Sequence, residues 1–301
     1  MEKQIVEISN DNYYLSLHRG FLRVKNKNNE NYRDVPLDNI MSLILSSNDV
    51  VISKNIVNEV CANGGSVIFC DKSYIPHVVA LSCSGHWLMS DRIKKQISAS
   101  IPLQKNLWKS IVQNKISNQA RVLETFYPQH PNISRLKRLS KETLSNDIKN
   151  NEGQAANIYF KSLFGEDFIR DRKVDNINVL LNYIYTVLRA MVLRAIIGNG
   201  LLPYLGIKHC NKSNQFPLAD DLMEPFRAVA DKIVFNELKN MKPHNEIELS
   251  SEMKKKLTSI ISYPVEIEKG KVSLNEGIYS FVASLVSCYD KKNIHLKYPK
   301  I

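Results

Sequence analysis

The sequence lacks the motifs that define several common classes of enzyme and metal site. Its 301 residues contain no GxxxxGK(S/T) loop, no GxGxxG motif after a predicted strand and no HExxH motif. Nucleotide hydrolysis and dinucleotide-dependent redox chemistry therefore lose most of their support. The five cysteines are scattered without a CxxC pair, which argues against zinc at the usual spacing and suits reduced thiols in a cytoplasm. Only eleven glycines and eleven prolines are present, which excludes collagen-like and low-complexity chains.

The sequence also shows no sign of a membrane segment. Its N-terminus, MEKQIVEISNDNYY, has no basic region followed by an apolar run, as a signal peptide would have. The longest apolar stretch, Ile177–Ile197, contains Arg189 and Arg194. Each arginine would cost about 2.5–3.5 kcal/mol at the centre of a bilayer. We therefore expect a buried core helix in a soluble, cytoplasmic protein that does not bind a membrane.

Acidic residues are nearly missing from one segment of an otherwise balanced chain. The net charge is +11, yet Arg92–Lys141 carries eleven basic residues and one acid, Glu124, while the remaining residues are almost neutral. Solvated helices usually mix both signs, because opposite charges three or four residues apart stabilise them. The imbalance indicates an external polyanion, most naturally a phosphate backbone. A basic surface without a partner is the alternative, and an anionic membrane is supported less.

Hydrophobic periodicity divides the chain into two parts. Short alternating segments over about the first 80 residues predict strands, with a turn at His18–Gly20 and one helix over Lys54–Ala62. From about Met89 the period becomes helical, and Pro102 is expected to break or kink the first long segment. The predicted fold class is α+β with two domains: a small β-rich domain over 1–85 and a larger all-α domain over 86–301.

Three places in the helical part combine residues that could bind a metal ion. His209 lies in a glycine-flanked loop between two apolar helices, and Asp221 and Glu224 follow at a spacing that shares one helix face. Glu152 lies early in another predicted helix, beside small residues. One histidine with carboxylates suits Mg²⁺ or Mn²⁺. On the residues alone, a surface histidine and acids that complement helix dipoles remain alternatives.

Several longer motifs make the sequence resemble a known family, the CRISPR-associated adaptation integrases, which are the first-numbered Cas proteins. These motifs are EGQAANIYFKSLFG at 152–165, LNYIYTVLRA at 181–190, GIKH at 206–209 and LADDLMEPFR at 218–227. The resemblance covers the whole chain, and VIFCD at 67–71 fits the family's β-rich N-terminal domain. The short form with a glutamate as third ligand resembles the variant found beside a single large RNA-guided effector nuclease.

The resemblance implies a metal site and a reaction. The family's catalytic metal ligands fall on Glu152, His209 and Glu224, with Asp221 as a secondary acid. Glu224 departs from many relatives, which have aspartate there. The implied reaction is attack by the 3′-OH of a short DNA fragment on a phosphodiester at a CRISPR repeat boundary, with Mg²⁺ or Mn²⁺ as cofactor. Because a metal-binding histidine must be neutral, activity is expected to fall below about pH 6.5.

The implied partners are nucleic acid and protein. DNA is expected as both donor duplex and repeat target, held by basic residues of the charged segment together with Arg227. The resemblance implies a prokaryotic protein whose domain over 86–301 binds DNA and carries catalysis. Two cuts at fixed spacing favour a C2 homodimer, expected to form through the domain over 1–85. The resemblance adds a dimer of the small second-numbered Cas protein and the effector nuclease as an additional partner. The expected DNA-binding residues are Arg92, Lys94, Lys95, Lys105, Lys109, Arg135, Lys137, Arg138 and Arg227.

Two other functions fit the same features less completely. A non-catalytic nucleic-acid-binding scaffold would keep the basic segment and give Glu152, His209 and Glu224 structural roles. A metal-dependent DNA repair nuclease would keep the metal site without integration. Joined DNA larger than the donor distinguishes integration from the second alternative, and loss of activity in a folded Glu152→Ala variant argues against the first.

Overall fold

The computed structural model describes residues 4–28, 30–70, 76–83, 89–171, 177–209, 211, 214–241, 247–268, 270–291 and 294–301. By its contacts the chain divides into two compact units, Met1–Gly85 and His86–Ile301. Asp71 of the VIFCD segment and Cys210 lie outside the described residues. The α+β fold class is confirmed, because a strand-rich N-terminal unit precedes a mainly helical one.

Within its described residues, the N-terminal unit contains two four-stranded sheets and one α-helix. The sheets have the strand orders β4-β3-β2-β6 and β1-β5-β7-β8. Strand β5 pairs in parallel with both β1 and β7, and β6 pairs in parallel with β2. The elements are β1 Gln4–Ile8, β2 Tyr13–His18, β3 Phe21–Asn26, β4 Tyr32–Pro36, β5 Ile40–Leu45, β6 Val50–Ile52, α1 Lys54–Ala62, β7 Ser66–Cys70 and β8 Pro76–Ala80.

Alternation of apolar residues along these strands builds the core of the N-terminal unit. Leu15, Leu22, Leu43 and Val67 are fully buried and belong to one hydrophobic cluster, which also takes in Ile56 of α1. Removing such side chains from water is the main stabilising term for a unit of this size. The predicted turn between β2 and β3 is present: the two connecting residues both have positive φ, which suits a two-residue hairpin loop.

The C-terminal unit is built around two long helices, α3 and α6. Ten of its elements are α2 Met89–Ile97, α3 Ile101–Phe126, α4 Asn132–Glu142, α5 Asn151–Phe164, α6 Ile177–Gly198, α7 Pro217–Met223, α8 Arg227–Asn240, α9 Ser251–Leu257, the hairpin β9 Pro264–Ile267 and β10 Gly270–Ser273. Helix α10, Leu274–Lys291, completes it. The hairpin was not expected from the sequence, which predicted this unit as all-α.

Proline positions explain where two predicted helices are divided. The expected break near Pro102 occurs just before it, because Ser100 caps α3 with its hydroxyl and proline is tolerated in the first turn. The single helix expected to carry both Asp221 and Glu224 is instead α7 and α8 joined by a 3₁₀ turn, Glu224–Phe226, where Pro225 has no N–H to continue the α-helical bonding.

Helix α6 is the one helix in the described part of the chain that is long and apolar enough to cross a bilayer. Within its most apolar window, 72% of the residues are buried inside the protein. Its residues Leu180, Ile184 and Leu188 are fully buried. The burial agrees with the expected core helix.

Candidate functional site

Glu152 is held in the first turn of α5 by a tightly bonded loop. Asp147 accepts hydrogen bonds from the N–H groups of Asn151 (2.9 Å) and Glu152 (3.0 Å), and the Asn150 side chain caps Gly153 N–H. Asn146, Asp147 and Asn150 all have positive φ. Such conformations cost energy unless surrounding contacts fix them. The loop therefore holds unfavourable backbone conformations, which fix the position of Glu152. The Glu152 side chain is 24% exposed.

Glu224 lies at the 3₁₀ turn between α7 and α8, where helix α3 fixes the backbone. The side-chain amide of Asn118 donates to the carbonyl oxygen of Pro225 at 2.8 Å, and both groups are buried. Lys115 is one turn earlier on α3 and faces the same segment. The Glu224 side chain is only 5% exposed. Two positions of α3, three residues apart, thus hold the turn and its carboxylate.

Lys115 joins the two glutamates. Its Nζ lies 2.6 Å from Glu152 Oε1 and 2.5 Å from Glu224 Oε2, with a side chain 9% exposed. Burial lowers the pKa of Lys115, but the two carboxylates raise it by more, so it is held above its ordinary value. Sequence reasoning counted this lysine only in the basic segment. The signal it missed is a lysine on the buried stripe of α3, at helical spacing from Leu107 and Ile111.

His209 is fixed by Asp221, which is fully buried in α7. The Asp221 carboxylate accepts N–H bonds from Ile207 (2.6 Å), Lys208 (2.9 Å) and His209 (3.2 Å), and a fourth bond from His209 Nδ1 at 2.5 Å. A side chain at Gly206 would lie 2.2 Å from the carbonyl oxygen of His209, so this loop requires glycine. With four donors on it, Asp221 orients the histidine and is not a free ligand.

The hydrogen bond to Asp221 determines the chemistry of the His209 ring. A carboxylate cannot donate, so Nδ1 carries the proton and Nε2 is the nitrogen left to bind a metal ion. The Asp221 bond raises the pKa of His209, burial opposes it, and Glu224 and Glu152 add smaller increases. Trp108 of α3 contacts the ring edge-on, with centroids 5.7 Å apart. The two carboxylates that Lys115 joins therefore also act electrostatically on the His209 ring.

A second buried network supports Glu224 from the other side. Arg227 Nε donates to Glu224 Oε1 at 2.9 Å, and its guanidinium lies over the Tyr185 ring at 4.5 Å. The Tyr185 hydroxyl donates to Asp231 at 2.5 Å. Burial raises the pKa of Asp231 to about 6, against the opposing effects of Tyr185 and Arg227. For Glu224, burial raises the pKa, but Arg227 and Lys115 hold it well below its usual range.

The donor set fits a hard divalent cation. Glu152 and Glu224 offer carboxylate oxygens, and His209 offers an oriented imidazole nitrogen, a combination suited to Mg²⁺ or Mn²⁺. Glu224 Oε2 is buried and accepts no properly directed hydrogen bond, although the Lys115 ammonium lies 2.5 Å away. As the side chains stand, no three His, Cys, Asp or Glu residues in the described ranges are grouped closely enough to hold an ion. The ammonium of Lys115 lies between the two carboxylates instead.

The structure separates the nine predicted DNA-binding residues into exposed and engaged ones. Lys94, Lys105, Arg135 and Arg138 are exposed, and Lys109 is half-buried. The others have partners inside the protein. Arg92 bonds to the carbonyl oxygen of Asn199, Lys95 pairs with Asp91 and Asp290, Lys137 pairs with Glu124, and Arg227 pairs with Glu224.

The exposed arginines of α4 lie on a helix that packs against α5, the helix of Glu152. Helix α4 ends beside α5, where the Asn151 amide donates to the carbonyl oxygen of Leu139 at 3.0 Å. Arg135 and Arg138 lie on the solvent face of the same helix. On another side of the site, a cavity of about 450 Å³ lined by Gln96, Tyr204 and Tyr289 opens beside His209. The His209 ring thus borders a cavity, while the Glu224 side chain is almost fully buried.

Comparison with known protein families gives a match over most of the chain. The family model described as "CRISPR associated protein Cas1" matches residues 6–259. A CRISPR-associated endonuclease Cas1 from Neisseria meningitidis serogroup C is 35% identical over 290 residues, covering 95% of this chain and 93% of the relative. Another from Francisella tularensis subsp. novicida is 32% identical over 254 residues, covering 75% and 76%.

Solved structures share the fold at low sequence identity. A casposase bound to integration product has a TM-score of 0.81 at 19% identity, covering 99% of this chain and 93% of the other. A Cas1 protein from Thermotoga maritima has a TM-score of 0.75 at 16% identity, covering 95% and 97%. A Cas6-RT-Cas1–Cas2 complex chain has a TM-score of 0.76 at 18% identity, covering 97% of this chain and 35% of that one.

Proposed function

This chain belongs to the Cas1 family of CRISPR-associated proteins, and we propose that it is a metal-dependent DNA integrase and endonuclease of CRISPR adaptation. Its curated relatives are named as endonucleases, and a casposase with the same fold is bound to an integration product. The observation that supports the proposal most is local: Lys115 joins Glu152 of α5 to Glu224 of the 3₁₀ turn, and both carboxylates help to raise the pKa of the oriented His209.

The proposed reaction is a transesterification. The oxygen of the donor 3′-OH forms a bond to the phosphorus of a target phosphodiester, and the bond from that phosphorus to the target 3′ oxygen breaks. The attacking hydroxyl loses a proton and the leaving oxygen gains one, so no oxidant, reductant or covalent enzyme intermediate is needed. With water as the attacking group, the same site would act as an endonuclease.

The residues of the site divide the work between binding and positioning. Glu152, Glu224 and His209 would hold Mg²⁺ or Mn²⁺, which supplies positive charge against the phosphate oxygens when bound. Asp221 keeps the His209 ring oriented with Nε2 free of its proton, and Arg227 fixes the second oxygen of Glu224. The catalytic role therefore falls on three side chains, and Asp221 and Arg227 are positioning residues.

The exposed basic residues are the proposed DNA surface. Arg135 and Arg138 on α4, with Lys94 and Lys105 from α2 and α3, would contact backbone phosphates without reading bases. Arg227 is reassigned from this set to the support of Glu224, because its guanidinium pairs with that carboxylate. Lys137 has a smaller proposed role, since Glu124 already neutralises it.

The proposed assembly follows the neighbours of known structure. Chains with this fold occur in Cas6-RT-Cas1–Cas2 complexes. We infer a homodimer through the N-terminal unit and association with a Cas2-type dimer, because two strand transfers at the ends of one repeat require two sites at fixed spacing. Donor and target DNA would be bound at the same time.

A strand-transfer assay tests the proposal. It uses a labelled short duplex with 3′ overhangs, a supercoiled plasmid bearing a CRISPR array, the small partner and Mn²⁺. We expect wild type and His295→Ala, whose side chain is exposed, to give joined DNA larger than the donor, and His209→Ala to give none. Cutting without joining, still dependent on His209, would favour a plain nuclease. Binding without chemistry in all three proteins would favour a scaffold.

A further inference from the structure

The place between the two glutamates is already occupied by a cation of the protein itself. Lys115 Nζ is within 2.6 Å of Glu152 and 2.5 Å of Glu224, and the remaining oxygen of Glu224 is taken by Arg227. Two buried carboxylates aimed at one point repel each other unless a positive charge lies between them. In the absence of a metal ion, Lys115 supplies that charge.

The contact of Lys115 with Glu224 differs from an ordinary hydrogen-bonded salt bridge. Glu224 Oε2 accepts no properly directed hydrogen bond in spite of its short distance to the ammonium. A lysine ammonium is a compact point charge on a flexible stem, so leaving this position breaks one regular hydrogen bond, the 2.6 Å bond to Glu152 Oε1. The Asp221 bond also orients the neighbouring imidazole through Nδ1, which is the arrangement common in histidines that bind a metal through Nε2 and is not needed for a lysine salt bridge.

We propose that Lys115 is a resident counter-cation of the Glu152–Glu224 pair, and that a divalent ion displaces its ammonium when it binds. This inference rests on the proposed function, since it takes these glutamates as metal ligands. Lys115 would hold both carboxylates in place before the metal arrives and would compete with it. Lys115 would lower the metal affinity of the site, and it would also make the site pre-organised and stable without metal.

Replacement of Lys115 by methionine separates these two effects. Lys115→Met keeps the length of the stem and removes the charge, so the glutamates lose their counter-ion and a metal loses its competitor. Without metal, the variant is expected to have a lower Tm than wild type. Its Tm should rise more on addition of Mn²⁺, and its Kd for Mn²⁺ should fall by about tenfold or more.

The measurements use the full-length, DNA-free protein, with the Kd obtained from free Mn²⁺ by electron paramagnetic resonance. Lys161→Met on α5 is the matched control, because Lys161 is half-buried on the helix that carries Glu152 and lies at its far end. It should match wild type in both Kd and Mn²⁺-induced Tm shift. If Lys115→Met unfolds in metal-free buffer, refolding by saturating Mn²⁺ gives the same support.

Four results would overturn the inference. An equal Mn²⁺ affinity in Lys115→Met and wild type would show that the ammonium is not displaced, with the metal site intact. A weaker affinity in the folded variant would make Lys115 a support for the ligands. A variant that stays unfolded in saturating Mn²⁺ would make it purely structural. Absence of Mn²⁺ binding in wild type as well would remove the metal site itself, and with it the proposed function.

Discussion

Helices α3 and α4 take basic residues from the same charged segment of sequence and use them in opposite ways. On α3, Lys115 is buried between two carboxylates. On α4, Arg135 and Arg138 lie exposed on the solvent face. The linear charge count treats all three alike, although one neutralises the interior and two face solvent. The side of the helix on which a residue falls, rather than the density of charge, decides which role it takes.

The largest expected difference between the two helices is in stability. Lys115→Ala should lower the free energy of unfolding by about 3–5 kcal/mol, because it removes the ammonium from a buried ion pair: Glu224 then has only Arg227, and the half-buried Glu152 loses its bond to Lys115. Arg138→Ala should change it by less than about 0.5 kcal/mol, since it removes an exposed side chain. Urea denaturation of metal-free protein measures both. Similar losses of stability in the two variants would contradict the different roles of the buried Lys115 and the exposed Arg138.

The next largest effect is expected in DNA binding, where the exposed arginines of α4 should contribute more than the buried lysine of α3. Combined Arg135→Gln and Arg138→Gln should lower the slope of log K against log salt by about 2, as expected for two lost phosphate contacts. Lys137→Gln should change the slope less, because Glu124 already pairs with Lys137. Fluorescence anisotropy across a salt series gives the slopes. An unchanged slope in the double variant would remove α4 from the interface.

A smaller effect is expected in the pH dependence of metal binding. The Asp221 bond raises the pKa of His209, and a protonated ring cannot bind a metal. Mn²⁺ affinity should therefore fall as the pH drops, with its midpoint above the ordinary histidine value of about 6.5. Asp221→Asn should move the midpoint down and weaken binding by about 10–100-fold, because the ring loses its orienting carboxylate. An identical midpoint in both proteins would show that Asp221 does not set the state of the ring.

The same bond has a consequence for the metal-free protein. A raised pKa means that the folded state holds the His209 proton more tightly than the unfolded state does. The bond to Asp221 therefore adds stability that is fully present below the unfolded pKa and is lost as the pH rises through the folded pKa. Metal binding and metal-free stability thus respond to pH in opposite directions.

Local patterns in the sequence predicted most of the fold. The strands Tyr13–His18 and Ile40–Leu45 and the helix Lys54–Ala62 are found where alternation and spacing placed them. Strand β4 and the hairpin of β9 and β10 were missed. Short, polar segments such as YRDVP carry little hydrophobic signal, and their pairing depends on neighbouring strands rather than on their own residues.

The candidate site could be predicted only in part from the sequence. Resemblance to the family selected Glu152, His209 and Glu224, and their role as metal ligands stays a prediction. The role of Lys115 could not be read from the sequence, since it depends on which carboxylates other helices bring to α3. Arg227 was expected among the DNA-binding residues, because the sequence did not show that its guanidinium would pair with Glu224.

Mn²⁺ binding by wild type and Glu152→Gln tests the central claim most directly, because Glu152 is the more exposed of the two glutamates and its amide replacement keeps the side chain's shape. We expect wild type to bind one Mn²⁺ ion per chain at the site. We also expect at least about tenfold weaker binding in Glu152→Gln, with a cooperative thermal transition retained. Equal affinity and stoichiometry in the two proteins would contradict the claim that these carboxylates form a metal site.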